Sequence, residues 1–142
     1  MATYDASVNT NNSVRSNKAY SDLNLNFNKN PATNDVAKLK DVEAVKRAVR
    51  NLILTNRFER PFHPEIGSDI RSLLFENMTP VVEVLLKDRI KETIDVYEPR
   101  ADVTDIIVSG DSDRNEYRVQ IEFRVLNVPD PIVVTEFLQR LR

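Results

Sequence analysis

The strongest candidates for acid–base chemistry are four acidic side chains and the lone histidine in the middle of the sequence: Glu59, Glu65, Asp69, Glu76 and His63. Two carboxylates ~5–10 Å apart can hydrolyse a glycosidic bond when one has a raised pKa and the other is ionised. However, the chain has 22 Asp and Glu among 142 residues and no Trp. Acidic clusters are therefore unavoidable, and no aromatic sugar cleft accompanies this one. A lysozyme-like glycoside hydrolase is the alternative function, not the preferred one.

Nucleotide and metal chemistry lack the residues that they need. A phosphate-binding loop needs several glycines, and the chain has only Gly67 and Gly110. Because the chain has no cysteine and a single histidine, a disulfide, a thiolate zinc site and a multi-histidine site are all excluded. His63 is more simply read as a loop residue with one hydrogen bond than as a general base. We expect no metal, no cofactor and no enzymatic activity.

Composition and charge predict an ordinary domain that folds in a reducing cytosol. Of 142 residues, 41% are hydrophobic and 30% are charged, which is typical of globular proteins. The net charge of −2 argues against a nucleic-acid partner, since such proteins usually carry a basic excess. No apolar run approaches the ~20 residues of a membrane span. We therefore expect neither nucleic acid nor membrane among the partners.

The N-terminal segment is predicted to be an extended arm. Residues 1–20 are rich in Asn, Ser and Thr and are expected to be disordered when alone. Leu23, Leu25 and Phe27 then alternate with asparagines, which is a strand-like period in a poor strand former. Residues 1–34 are predicted to form a flexible or partner-bound arm anchored by these three side chains, or alternatively a floppy tail. Residues 35–142 then form a single domain.

The remainder predicts an α+β fold, with two to three helices packed on a small antiparallel β-meander. A helix starts near residue 35 or 41 and ends near residue 55, a short one covers residues 69–77, and Thr79-Pro80 opens a third that Pro99 stops. Ile70, Leu73, Leu74 and Phe75 of the short helix, and Val82, Leu85, Leu86, Ile90, Ile94 and Tyr97 of the third, are predicted to face inward.

The predicted strands are residues 103–109, 117–125 and 132–138. The middle run alternates strictly between apolar and polar residues, so one face is buried and the other is wet. The last run could also be helical, but it opens with β-branched residues. A three-stranded sheet leaves two open edges, here residues 103–108 and the run Ile132, Val133, Val134, Thr135, Glu136, Phe137 and Leu138.

Two further segments combine rigid backbone with charged residues, which suits recognition. The first is a loop that contains Arg60, Pro61, Phe62, Pro64, Glu65 and Gly67. The second is Tyr97-Glu98-Pro99-Arg100, where Pro99 ends a helix and projects Arg100. The planar fork of Arg100 could bind a carboxylate or a helix C-terminus. A plain helix stop flanked by solvated charges is the alternative.

Three motifs stand out in the middle of the sequence: Arg-Pro-Phe-x-Pro-Glu-x-Gly at residues 60–67, Leu-Phe-Glu-Asn-Met-Thr-Pro at residues 74–80 and Tyr-Glu-Pro-Arg at residues 97–100. Together they resemble the baseplate wedge family of contractile-tailed bacteriophages. This family includes the sheath-initiator subunit of T-even-like phages and related proteins of type VI secretion baseplates. The resemblance begins at residue 20, is strongest over residues 41–100 and continues to about residue 131. Residues 1–19 have no counterpart.

The resemblance implies a structural subunit of the virion tail that assembles in the host cytoplasm. Such subunits lie in multiple copies around a six-fold baseplate, bind the helical core bundle of other wedge proteins and lie near tube and hub proteins. They present a sheet, similar to the handshake domain of a sheath protein, to the first sheath ring. Tyr97, Glu98, Pro99 and Arg100 would then bind the wedge partner, and a sheath arm would add a strand to an open edge. A host-cell adaptor shares these physical features and differs only in its partner.

Overall fold

A computed structural model describes residues 20–126, 128 and 130–140 of the chain. The predicted α+β fold class is confirmed, with elements in the order β1 (Ser21–Leu23), β2 (Lys38–Lys40), α1 (Asp41–Leu54), α2 (Ile70–Leu73), α3 (Pro80–Tyr97), β3 (Ala101–Asp111), β4 (Glu116–Val125) and β5 (Ile132–Gln139). No helix in this part of the chain combines the length and the apolarity needed to cross a membrane. Residues 1–19 of the predicted arm lie outside the described residues.

The predicted bounds of α3 are confirmed. Thr79 is the N-cap, where its Oγ1 accepts a hydrogen bond from the Val82 N–H at 3.4 Å, and Pro80 takes the first helical position. Pro99 follows directly after the C-cap and prevents the helix from continuing. The buried stripe of α3, Val82, Leu86, Ile90 and Ile94, packs with the buried stripe of α1, Val45, Val49 and Ile53, in one hydrophobic core.

The sheet β3-β4-β5 is an antiparallel meander with β4 in the centre. The alternation of β4 is confirmed, because Tyr117, Val119, Ile121, Phe123 and Val125 are each at most 2% exposed. Helices α1 and α3 cover this buried face, where α3 packs mainly on β3 and α1 contacts β5. Helices on one face and solvent on the other are the expected arrangement for an antiparallel sheet of alternating sequence.

The described part of the predicted arm folds back on the domain. Strand β1 pairs antiparallel with β2 and contacts α1. Asn24 is buried, and its N–H donates to the Ala37 carbonyl at 3.2 Å while its Oδ1 accepts from the Asn26 N–H at 3.0 Å. The side chains of the predicted anchors are exposed to solvent instead: Leu23 by 53%, Leu25 by 51% and Phe27 by 67%. The domain boundary at residue 34 stays a prediction.

Two of the inward-facing predictions were wrong, since Phe75 is 55% exposed and Leu85 is 46% exposed. The predicted helix over residues 69–77 is in fact the single turn α2. After it the chain continues in turns with three-residue hydrogen bonds, from the Phe75 N–H to the Ser72 carbonyl at 3.3 Å and from the Glu76 N–H to the Leu73 carbonyl at 3.2 Å. The α-helical period therefore no longer sets the direction of Phe75. Leu85 lies off the buried stripe because Leu86 fills the position four residues after Val82.

Candidate functional site

The end of α3 is a tight corner held by an ion pair. The Glu98 N–H donates to the Ile94 carbonyl at 2.8 Å, and the Ala101 N–H donates to the Glu98 carbonyl at 3.0 Å, so the helix turns directly into β3. Glu98 is only 6% exposed, and its carboxylate accepts from Arg100 Nε at 2.5 Å and from Nη2 at 2.7 Å. This is a bidentate pair that uses the planar guanidinium fork.

Arg100 also ties this corner to the N-terminal segment. Its Nη1 and Nη2 each lie 3.4 Å from Asp22 Oδ2, and its guanidinium carbon lies 5.4 Å from the centroid of the Tyr20 ring. Hydrogen bonding to Glu98, with Asp22 adding to it, holds the pKa of Arg100 above its usual value. The predicted fork is therefore engaged within the chain, tightly with Glu98 and more loosely with Asp22.

The loop over residues 56–68 is fixed to the same corner. The Tyr97 hydroxyl donates to the Glu65 carbonyl at 2.7 Å. Gly67 has φ of +151°, and a Cβ added there would lie 2.6 Å from the carbonyl carbon and oxygen of Asn56. Only glycine fits this close approach, so the predicted loop residue Gly67 has a backbone role.

The tip of the loop presents two aromatic rings to solvent. Phe58 is 83% exposed and Phe62 is 96% exposed. Both have positive φ, 67° and 70°, which is uncommon for bulky residues and is worth a functional explanation. Pro64 holds the tip closed, because its carbonyl accepts from the Phe58 N–H at 2.9 Å. Pro61 and Pro64 are themselves exposed.

The corner groove is a cavity of about 420 Å³ where three of the predicted groups meet. Its walls come from the loop, the end of α3 and the arm: Arg60, Tyr97, Glu98, Arg100, Leu23 and Leu25. Its floor is α1, where Ala44 and Ala48 leave space, with Asp22 at the side. Sequence reasoning missed these three residues. The Ala-x3-Ala spacing was the one local signal, since small residues one turn apart allow close approach of a partner.

The outer edge of β3 is partly closed by the chain itself. The Gly110 N–H points away from β4 and donates to Glu83 Oε1 of α3 at 2.8 Å, and the Ile106 N–H donates to Asp105 Oδ1 at 2.8 Å. Asp105 also binds Lys87 Nζ at 3.2 Å, which with the backbone hydrogen bond lowers the pKa of its carboxyl. The strand register shifts between Val103 and Asp105. Side-chain caps and bulges of this kind discourage edge pairing.

The outer edge of β5 is open within the described part of the chain. The Arg140 N–H donates towards β4, to the Asn115 carbonyl at 3.0 Å. Because N–H and C=O directions alternate along an antiparallel strand, the outward groups are those of Val133, Thr135, Phe137 and Gln139. None of these four is used in any hydrogen bond between described residues outside the sheet ladder. The run predicted as a free edge, Ile132 to Leu138, therefore has unpaired backbone.

Two of the four clustered carboxylates, Glu59 and Glu65, have pKa shifts opposite to those of a general acid. Hydrogen bonds from Asn56 lower the pKa of Glu59. A backbone hydrogen bond, then His63 Nδ1 at 3.2 Å, lower the pKa of Glu65. A glycosidase acid needs a raised pKa. Within residues 20–126, 128 and 130–140, no three His, Asp or Glu side chains are grouped to hold a metal ion.

Fold and surfaces together define a small α+β assembly subunit with a recessed corner groove and an open sheet edge. Comparison with known proteins gives the same class. The sequence profile of the baseplate wedge protein gp25 family matches residues 40–130. Baseplate wedge protein gp25 of Enterobacteria phage T4 is 34% identical over 120 residues, which cover 82% of this chain and 87% of that protein.

Solved structures of baseplate proteins have a similar fold. A chain of the anti-feeding prophage baseplate superposes with a TM-score of 0.69 and 29% identity over 79% of this chain and 90% of that one. A candidate tail lysozyme from Geobacter sulfurreducens superposes with a TM-score of 0.66 over 70% of this chain and 91% of that one, but its 21% identity is evidence for the fold alone.

The chain belongs to the baseplate wedge protein gp25 family. It is a structural component of the baseplate of a contractile tail, so the predicted resemblance and the predicted structural role are confirmed. Its partners are other components of the baseplate, and its place is the virion. Membership in a family of structural baseplate proteins favours a non-enzymatic role over hydrolysis.

Proposed function

We propose that the chain links two partners in the baseplate, the helical core of other wedge proteins at the corner groove and the tail sheath at the outer edge of β5. The observation that carries the proposal is the contrast between the two sheet edges. On β3, the outward N–H groups of Ile106 and Gly110 are capped by side chains of this chain. No described residue caps the outward groups of β5, so β5 rather than β3 is the edge that accepts a sheath strand.

The proposed wedge contact uses the corner groove. The small side chains of Ala44 and Ala48 form its floor, and Leu23 and Leu25 offer apolar contacts at the rim. A partner carboxylate would approach Arg100 in place of Asp22, whose contacts of 3.4 Å are the longer ones. Phe27, Phe58 and Phe62 lie exposed for contacts with neighbouring wedge, tube or hub proteins. Several copies of the chain would surround the tail axis, after assembly in the host cytoplasm.

Thr135→Pro tests the sheath edge. It removes one outward N–H and leaves the ladder with β4 intact, which edge strands tolerate. Each strand hydrogen bond contributes ~1 kcal/mol, so binding of the cognate sheath protein should weaken by at least about fivefold. The matched control is Val108→Pro, which removes an outward N–H from β3. Pull-down and calorimetry against purified sheath and wedge proteins give the readout, with the melting temperature of each variant recorded.

Reduced sheath binding by Val108→Pro but not by Thr135→Pro would move the joint to β3 and contradict the proposal. Retention of neither wedge nor sheath protein by the wild-type chain would favour a host-cell adaptor instead. The hydrolase alternative predicts that Glu65→Gln or Glu76→Gln abolishes cell-wall hydrolysis while assembly continues. We expect no hydrolysis by the wild-type chain.

A further inference from the structure

Two cavities lie beside β5, on the core-facing side of its open edge. The first, the end groove, has a volume of about 360 Å³ and is lined mainly by apolar side chains of α1, α2 and β5: Ile53, Leu54, Ile70, Leu74 and Leu138. Leu54 remains 49% exposed although it lines this groove. Exposed apolar surface beside unpaired backbone is typical of an unfilled interface.

The second cavity, the basic groove, has a volume of about 410 Å³ and lies at the other end of β5. Lys46, Arg47 and Arg50 of α1 line it, with Glu43 and Glu136 as the carboxylates. Lys46 pairs with Glu43 at 3.2 Å and Arg50 pairs with Glu136 at 2.8 Å. Arg47 binds the Asn26 side chain, but its buried Nε finds no acceptor among the described residues. The basic groove thus has one cation more than it has carboxylates.

An added strand would present its side chains to these grooves in a fixed order. Residues directly opposite one another on neighbouring strands point to the same face of the sheet. Leu138 faces the end groove and Val134 faces the basic groove. Between them, Glu136 is only 12% exposed because Arg50 covers it. The position opposite Glu136 therefore has little room for a large side chain.

We infer that the strand which joins β5 carries a large apolar side chain opposite Leu138 and a carboxylate opposite Val134, four residues away. This inference rests on the proposed function, since it specifies the sheath segment that the open edge accepts. The spacing holds whether the added strand runs parallel or antiparallel to β5. The backbone supplies affinity and the two grooves supply sequence preference.

A second copy of the chain fits these grooves poorly. β5 carries Glu136 and no other charged residue between Ile132 and Leu138. If two copies paired their β5 strands in register about a two-fold axis near Glu136, the carboxylates would meet opposite each other, which is destabilising. A sheath strand that carries the apolar and acidic positions avoids this repulsion.

The test is selection from a display library of fully randomised twelve-residue peptides on the whole protein. On the wild-type chain, we expect Leu, Ile, Met or Phe four residues from Asp or Glu, in either order, at tenfold or more above the library. On Leu54→Arg, which places a cation at the rim of the end groove, the apolar preference should give way to an acidic one. Leu85→Arg is the matched control, because Leu85 is 46% exposed on α3, and its selected motif should be that of the wild type.

Thr135→Pro distinguishes the proposed binding edge, β5, from the inferred sequence motif of the strand that binds there. Selected peptides that bind Thr135→Pro as tightly as wild type, or a selection that yields no binder, would overturn the β5 edge and the inference with it. Peptides that lose binding to Thr135→Pro but lack the four-residue motif would overturn the inference alone. A tenfold gain in peptide affinity when residues 2–19 are deleted would assign the grooves to the chain's own N-terminus and would overturn it as well.

Discussion

At the scale of single residues, the pairing of Glu98 with Arg100 explains why a helix can stop and a strand begin within one corner. Glu98 is 6% exposed, and a carboxylate at that depth needs a strong partner. The Arg100 fork supplies two hydrogen bonds in one plane and holds Asp22 and Tyr20 at its other side. The corner groove therefore has a wall whose shape is set before any partner arrives.

Arg100→Lys keeps the charge and loses the planar fork. Because Glu98 would retain at most one of its two hydrogen bonds, we expect the free energy of unfolding in urea to fall by about 1–3 kcal/mol. Arg89→Lys is the control, since Arg89 pairs with Glu92 on the surface at 3.2 Å and should change stability by less than about 1 kcal/mol. Equal losses in the two variants would argue against a structural role for the fork. Wedge binding should weaken for Arg100→Lys only.

At the scale of secondary-structure elements, the molecule treats its two sheet edges differently. Helix α3 contributes Glu83, which caps the Gly110 N–H, and Lys87, which pairs with Asp105. The helix that covers β3 therefore also helps to close its outer edge. Helix α1 contributes Arg50, which pairs with Glu136 of β5, but neither α1 nor any other described residue caps an outward N–H of that strand. The β3 edge is thus closed by one side chain of α3, Glu83, and by one side chain of β3 itself, Asp105, which α3 holds through Lys87.

Glu83→Ala combined with Asp105→Ala should open the rim of β3. The N–H groups of Ile106 and Gly110 would lose their caps, and unpaired edges promote association between chains. We expect the dissociation constant for self-association, measured by analytical ultracentrifugation, to fall at least tenfold. Glu92→Ala with Asp102→Ala makes the same change of charge at exposed positions that cap no N–H. If the two double variants associate equally, charge rather than capping is the cause.

Local patterns predicted the elements well and the contacts between them poorly. Thr79, Pro80 and Pro99 set the bounds of α3, and the period of two over residues 117–125 set β4, because both signals act within a few residues. The sequence alone leaves both β3 and β5 as candidates for the open edge. The Glu83 cap on the Gly110 N–H, which distinguishes them, joins residues 27 positions apart. Such contacts leave no periodic trace in the sequence.

The contact between the N-terminal segment and the corner could not be predicted from the sequence for the same reason. Asp22 and Arg100 are 78 residues apart in sequence, so neither residue predicts the other. The alternation of Leu23 and Leu25 predicts an extended segment, but β1 ends at Leu23, and the buried residue is Asn24, whose side chain closes the turn that follows. A period of two reports that two faces differ and does not report which face is covered.

At the scale of the whole molecule, α1 separates the two proposed interfaces. Ala44 and Ala48 face the corner groove, while Lys46 and Arg50 face β5. A wedge protein and a sheath strand could therefore occupy the subunit together without touching each other. This arrangement suits a component that joins the core of a baseplate to the structure built on it.

Truncation tests where the folded unit begins. Compared with a variant that lacks residues 2–19, a variant that lacks residues 2–34 loses β1, its pairing with β2 and the contact of Asp22 with Arg100. We expect its melting temperature to be lower by roughly 5 °C or more, since this size of domain loses a few degrees for each kcal/mol. Calorimetry gives the measurement. Identical melting temperatures would place the domain boundary at residue 34, as the sequence predicts.

The ion pair between Glu136 and Arg50, at 2.8 Å, bears on the period between synthesis and incorporation into a tail. Under the proposed assembly in a host cell, each newly made subunit would have an open β5 edge before it joins a tail. Because Glu136 is an inward-pointing carboxylate in the middle of β5, pairing between the β5 strands of two copies is unfavourable. The unassembled subunits can thus stay monomeric, and the β5 edge pairs only with a strand of a different protein whose sequence fits it.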